Sequence, residues 1–329
     1  MIDTVPFPGP EITLASLDRT PLPESLSTLT TCHADCTITV VSTPLQCLFP
    51  LLSQWASMPT ILDKIVEVKC DEIAARKART PLSDLRAQLD EQPPPRGFAS
   101  QLDAAVAAGR PGVIAEIKRG SPSLGCIRPD LDAAVQARAY EDGGAAALSV
   151  LTDETFFFGS DRDFTDARNA VSLPMLRKEF IIDEYQVYES RALGADCILL
   201  ILSILENAAA RALCDCVHGL GMDVLAETHS REEIDRAVAH LDFDLLGINN
   251  RNLNTFDTRI EHTSEMADAV ADRSTLVAES GLHDPADVAA LWEQGIGRFL
   301  VGEAFVRRDD PAAAVRSFVD CRTICRETT

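Results

Sequence analysis

The chain has 329 residues, 46% of them hydrophobic and 25% charged, which fits one large or two ordinary globular domains of the soluble kind. Its 51 acidic against 30 basic residues give a formal net charge of -21, which speaks against a nucleic-acid or anionic-membrane surface. No apolar run is long enough to span a bilayer, and the start lacks the marks of a secretory signal or a transit peptide, so the cytoplasm is the expected compartment.

Residues 1–57 are rich in Pro, Ser and Thr, nearly devoid of basic residues, and without a sustained apolar period. They are expected to be a disordered extension, or a stretch upstream of the natural protein, because such a segment buries too little surface to offset its ordering entropy. From Met58 the pattern changes. "MPTILDKIVEVKCDEIAARKART" places Ile61, Ile65, Val68 and Ile73 on a near-helical stripe, with Asp63 and Glu67 on an outer charged face. This predicts a leading helical segment over 58–92, closed by the prolines of "EQPPPRGF".

Beyond residue 110 the chain becomes rhythmic. Eight β-favouring apolar runs follow: "GVIAEIK", "AALSVLT", "PMLRKEF", "DCILLI", "DVLAET", "LLGINN", "TLVAES" and "RFLVG". Their spacing of roughly 20 to 35 residues is that of a βα unit. Helical patterns fill several gaps, as in "DLDAAVQARAYEDGG", "DEYQVYESRALGAD", "ENAAARALCDCVHGLGM", "SREEIDRAVAHL" and "HDPADVAALWEQGIG". Near-continuously apolar strands imply a parallel sheet buried on both faces, and eight such units close a (β/α)8 barrel. One domain over 58–329 is therefore expected.

A barrel of this kind builds its site from residues at the carboxyl ends of its strands. In "VIAEIKRGSPS", alternation sends Ile114, Glu116 and Lys118 to one face and Val113, Ala115 and Ile117 to the other. An acid beside a base could be a solvated ion pair. The other strand ends argue otherwise: Lys178 closes the third, Glu227 the fifth, Asn249 the sixth, Glu279 and Ser280 the seventh, and Gly302 and Glu303 follow the eighth. So many polar groups at one rim read as a site in which paired charges keep the lysines protonated, for acid or clamp roles. Gly281 and Gly302 are either ordinary turn glycines or part of a phosphate cradle of backbone N–H groups, to which Ser121 could add a hydroxyl. Phe156, Phe157 and Phe158 fit a core plug or a pocket wall. The ten cysteines show no CxxC spacing and read as ordinary thiols, with no metal set.

Taken in order, "ILDKIVEVK", "IAEIKRGSPSLG", "LSVLTDETFFFGS", "LPMLRKEFIIDEYQ", "GADCILLI", "LAETHS", "GINNRNL", "VAESGL" and "FLVGEAF" resemble the indole-3-glycerol-phosphate synthase family over roughly residues 58 to 320. The resemblance implies a carboxy-lyase of tryptophan biosynthesis. Its substrate is an anionic phosphosugar, an anthranilate N-linked to an opened deoxyribulose phosphate, and neither cofactor nor metal is implied. By the same resemblance, Lys178 is the general acid of ring closure. Lys118 holds the substrate carboxylate and helps hydroxide leave. Glu116 and Glu227 are acid–base and electrostatic partners in dehydration, and Asn249 and Ser280 orient substrate. Phe157, Leu199 and Leu300 line the anthranilate pocket. Ser121, Gly281, Gly302 and the N–H of Glu303 hold phosphate, and Arg251 supports the rim. The chain would act as a monomer or weak homo-oligomer.

Glu303 departs from the pattern, since relatives often carry Ser there, and its carboxylate must turn away from a bound phosphate. The nearest rival is another phosphosugar barrel, phosphoribosylanthranilate isomerase, which uses a Cys and an Asp that this chain lacks at the matching strand ends. A non-catalytic barrel acting as a binding module is the rival from another class, and it predicts erosion of the Lys–Glu set.

Overall fold

The computed structural model describes residues 60–89, 91–252 and 257–321. The expectation for residues 1–57 lies outside the described residues. The unit beginning at Pro59 holds every element below.

Eight parallel strands close a barrel: β1 (Gly112–Ile117), β2 (Ala147–Leu151), β3 (Met175–Lys178), β4 (Cys197–Ile201), β5 (Asp223–Thr228), β6 (Leu245–Asn249), β7 (Leu276–Glu279) and β8 (Arg298–Val301). Each pairs in parallel with its neighbours in the chain, and β8 closes on β1 with Ile114 opposite Leu300. Every strand falls within one of the eight runs marked in the sequence. The expected (β/α)8 architecture is the one observed.

Alternation divides each strand between two cores. Ile114, Leu176, Leu199, Leu225, Leu245, Val277 and Leu300 fill the barrel interior. Val113, Ala115, Ile117, Leu148, Val150, Leu200, Val224 and Leu246 face the surrounding helices in a larger cluster. At about 25 cal/mol per Å² of apolar area, these two layers supply the main driving force for closure.

The helices begin where short polar side chains can accept the free N–H groups of a first turn. The helix α1 (Ile61–Arg79) starts on a capping box between Thr60 and Asp63. Next come α2 (Leu82–Leu89) and α3 (Phe98–Ala107). The barrel helices are α4 (Ala133–Asp142), α5 (Asp161–Ala170), α6 (Glu184–Leu193), α7 (Asn207–Gly219), α8 (Arg231–His240), α9 (Glu261–Ala267), α10 (Pro285–Trp292), α11 (Glu303–Val306) and α12 (Pro311–Val319). Asp132, Ser160, Asp183, Ser230, Asp284 and Asp310 cap α4, α5, α6, α8, α10 and α12. None of the described helices is long and apolar enough to cross a membrane.

Two expectations are modified. The leading segment is two helices, divided at Thr80 and Pro81, since a proline cannot supply the N–H that continuation requires. The fully buried positions of α1 are Ile65, Lys69 and Ile73, whereas Val68 is half-buried. Lys69 takes a core position because it meets three acids, with Nζ 2.8 Å from Glu72, 2.8 Å from Asp153 and 3.1 Å from Glu179. Burial works against its charge, but Glu179 and Asp153 outweigh burial and raise its pKa.

Asp153 and Glu179 sit in the loops that follow β2 and β3, so one ammonium ties α1 to the rim. Lys69→Met should leave both carboxylates buried without a counter-charge and cost about 3–5 kcal/mol of stability. Urea unfolding checks this; a midpoint shift equivalent to less than about 1 kcal/mol would make the cluster dispensable.

Candidate active site

The barrel mouth is a cavity lined from nearly every strand end. Glu116 and Lys118 come from β1 and its loop, Lys178 from β3, Glu227 from β5, Asn249 from β6, Glu279 and Ser280 from β7, and Gly302 and Glu303 follow β8. Ser121, Phe157, Leu199, Arg251, Gly281 and Leu300 line the same cavity. Every site residue expected from the sequence is therefore in one place. The leading helix contributes Ile61, Leu62 and Ile65 to the apolar side of the wall.

The charged groups form two linked sets. Lys118 Nζ lies 2.9 Å from Glu116 Oε1, and both side chains line the cavity, so β1 and its loop aim this acid and base inward. Lys178 Nζ donates to Glu227 Oε2 at 2.8 Å and to Glu279 Oε2 at 2.7 Å. Burial opposes the ammonium, but the two carboxylates outweigh it and raise the Lys178 pKa, which keeps the amine protonated. Asn249 Nδ2 donates to Glu227 Oε1 at 3.2 Å. The Glu227 carboxylate is held well below the usual range: burial would raise it, and Lys178 and His229 overcome that.

Two glycines make room for this arrangement. A Cβ at Gly302 would stand 2.3 Å from Glu116 Oε1, and one at Gly247 would stand 2.1 Å from Glu279 Oε1. Neither position accepts a side chain without expelling an acid. Ser280 adopts a left-handed φ of 64°, unusual for a residue with a Cβ, and Gly281 follows at 75°.

The rim is braced by polar contacts. After β1, Gly120–Ser121 pairs antiparallel with Gly125–Cys126. Arg251 Nη1 donates to Ser123 Oγ at 3.1 Å, and its backbone N–H donates to Asn249 Oδ1 at 3.0 Å. Glu303 Oε1 lies 3.1 Å from Arg307 and Oε2 lies 3.9 Å from Arg251, so its carboxylate is occupied by guanidinium groups. Of the phenylalanine triplet, Phe157 packs against Phe180 with ring centroids 5.9 Å apart and lines the cavity. Phe158 is 43% exposed and is no core plug. Asp153 Oδ1 accepts the N–H groups of Phe156 and Phe157, which fixes that loop.

Sequence reasoning left Glu279 on the rim without a role and passed over His229. Alternation was the signal for both, since His229 follows Glu227 by two residues and Glu279 ends its strand as Glu227 nearly does. Among the described residues no group of three His, Cys, Asp or Glu side chains could hold a metal ion.

A closed (β/α)8 barrel whose mouth holds two lysines among buried carboxylates has the architecture of the barrel enzymes, which build their sites at this end of the strands. A family model described as indole-3-glycerol phosphate synthase matches residues 62–318. Proteins named indole-3-glycerol phosphate synthase from Rhodospirillum rubrum and Azospirillum brasilense are each 48% identical over 262 residues, which cover 80% of this chain and 100% of each relative. The chain belongs to the indole-3-glycerol phosphate synthase family.

Burial pushes the Glu279 carboxyl up to about 8; Lys178 opposes this and the nearby Glu227 charge reinforces it. A folded value above the unfolded one means that the stabilisation by protonated Glu279 is full below 4.5 and lost as pH rises through about 8. Glu279→Gln removes that titration. The thermal midpoint of the variant, taken relative to wild type, should therefore improve as pH is raised across this window. A difference independent of pH would show that Glu279 does not titrate there.

Proposed function

We propose that this cavity closes the indole ring: 1-(2-carboxyphenylamino)-1-deoxyribulose 5-phosphate loses CO2 and water to give indole-3-glycerol phosphate. The observation that carries the reading is Lys178, held as an ammonium between Glu227 and Glu279 in the same cavity as the Lys118–Glu116 pair.

Ring closure puts negative charge on a carbonyl oxygen, and Lys178 is the general acid that protonates it. Lys118 holds the substrate carboxylate and assists departure of hydroxide. Glu227, kept ionised, is suited to accept a proton during dehydration, and Glu116 balances the charge of Lys118. Asn249 and Ser280 orient the substrate. Phe157, Leu199 and Leu300 provide apolar surface for the anthranilate ring. Ser121, Gly281, Gly302 and the N–H of Glu303 hold the phosphate, with the Glu303 carboxylate drawn aside by Arg307 and Arg251 supporting the rim. The chemistry is proton transfer and charge placement. The same reading is of a monomer or weak homo-oligomer acting in the cytoplasm.

Incubation of the purified chain with the carboxyphenylamino sugar phosphate should give indole fluorescence. An isomerase would instead consume phosphoribosylanthranilate, and a binding module would turn over neither. Lys178→Met should lose most of kcat under conditions where circular dichroism shows the variant folded, and Lys178→Arg should rescue poorly because a guanidinium does not pass its proton on. Activity of Lys178→Met within about tenfold of wild type, under about 1.4 kcal/mol of barrier, would remove Lys178 from the mechanism. Replacing Glu227 or Glu116 by Gln should lower kcat far more than it raises KM; the opposite split would make them binding groups.

A further inference from the structure

His229 lies just beyond the carboxyl end of β5, two residues after Glu227, so both side chains leave the strand on the same face. Its Nε2 is 3.3 Å from Glu227 Oε1 and its Nδ1 is 3.5 Å from Glu233 Oε2. The ring is held by the chain around it. The His229 backbone N–H donates to Glu233 Oε2 at 2.7 Å, and Ser230 caps the helix that carries Glu233. The imidazole is 13% exposed.

The ring lines a second cavity beside the mouth. The mouth described above is lined by Glu227 and not by His229; the neighbouring cavity is lined by His229 and Glu233 and not by Glu227. The groups that face His229 are Glu227 on β5, Glu233 on α8 and His262 on α9, whose Nε2 lies 3.2 Å from the His229 carbonyl. Asp63 of α1, with Asp257 and Arg259 beyond β6, lines the same second cavity. Acids stand on both sides of the imidazole.

This matters because Lys178 contacts two carboxylates and carries one charge. Glu227 accepts from Asn249 and has His229 Nε2 3.3 Å from Oε1 in ion-pair contact, although neither ring nitrogen makes a hydrogen bond among the described residues. Among those residues Glu279 Oε1 is buried with no hydrogen-bond partner and no cation facing it from the His229 side. The surroundings of the pair are therefore unequal, and most of the inequality lies on the His229 side.

We propose that His229 is a positioning residue for Glu227: as an imidazolium against Oε1 it keeps Glu227 a carboxylate, so that the proton held by the buried acid pair resides on Glu279. The proposal rests on the reading of Glu227 as a proton acceptor in the ring-closing reaction. It makes the two acids on Lys178 functionally distinct, one a base and the other a neutral carboxylic acid. The direction of titration agrees. Burial works against the charge of His229, but Glu227 and Glu233 overcome it and raise its pKa to about 9, while Glu227 is lowered and Glu279 raised.

The test has two arms. In the first, kcat and KM of His229→Gln and His229→Asn are measured across pH against wild type. The acid-side limb of the kcat profile should move up by about one pH unit and kcat near neutrality should fall by about tenfold, with KM held within about twofold. A limb that stays in place, or a loss confined to KM, would overturn the proposal. The second arm needs no turnover and uses the intact wild-type chain, in case the variants fold poorly. Nitrogen-15 histidine NMR should find the His229 ring doubly protonated at pH 7.5, and Glu227→Gln should bring its titration down. A neutral His229 ring at that pH in wild type would overturn the proposal. A wild-type chain that makes no indole product would overturn the functional reading instead, while the NMR arm would still decide the pairing.

Discussion

The ammonium of Lys178 is the centre on which the barrel mouth depends. Two carboxylates approach within 2.8 Å of one nitrogen, in a space from which water is largely excluded. Buried alone, Glu227 and Glu279 would repel each other and resist ionisation; buried with Lys178, they form a set whose net charge is small. The backbone around them follows from that requirement. Gly247 has no side chain because Glu279 occupies the volume, and Asn249 turns its amide toward Glu227 because that carboxylate still has an acceptor to satisfy. Gly302 and Glu116 repeat the relation at the ends of the adjoining strands β8 and β1.

Much of this could be read in the sequence because a parallel barrel imposes two strong regularities. Strands buried on both faces must be apolar nearly throughout, so eight runs stood out. Alternation then placed Glu116, Lys178, Glu227 and Asn249 on inward faces at one end. Features that depend on tertiary pairing did not show. The helix α5 buries Asp163 and Arg168 along with Phe164 and Ala167, so its inner face reads as polar. Those charges are internal because Arg119 chelates Asp163 and Arg168 meets Asp196, partners distant in sequence. Lys69 failed to register for the same reason: a lysine on the core side of a helix looks like an interruption until its three acids are known.

The overall charge of -21 is likewise a poor guide to the site. Selection of an anionic substrate depends on donors within a few ångströms, and the mouth presents Lys118, Lys178 and Arg251 even though six acids line the same cavity. A surface charge farther from the mouth than a screening length of about 8 Å is largely screened by salt. Glu303 illustrates the local scale. Its carboxylate lies at the rim, yet two arginines engage it, and the backbone N–H at the same residue remains a donor of opposite sign.

The Lys69 cluster bears on how far this fold can be reduced. Protein engineers often treat the eight strand–helix units of such a barrel as the scaffold and whatever precedes them as trim. Here the trim would carry away the counter-charge of Asp153 and Glu179, both of which form part of the cavity wall. A minimal scaffold cut before Phe98 would inherit two stranded acids beside its site and would need them redesigned as neutral side chains. The leading helix is thus an integral stave of the enzyme, and grafting this mouth onto another barrel means transplanting α1 with it.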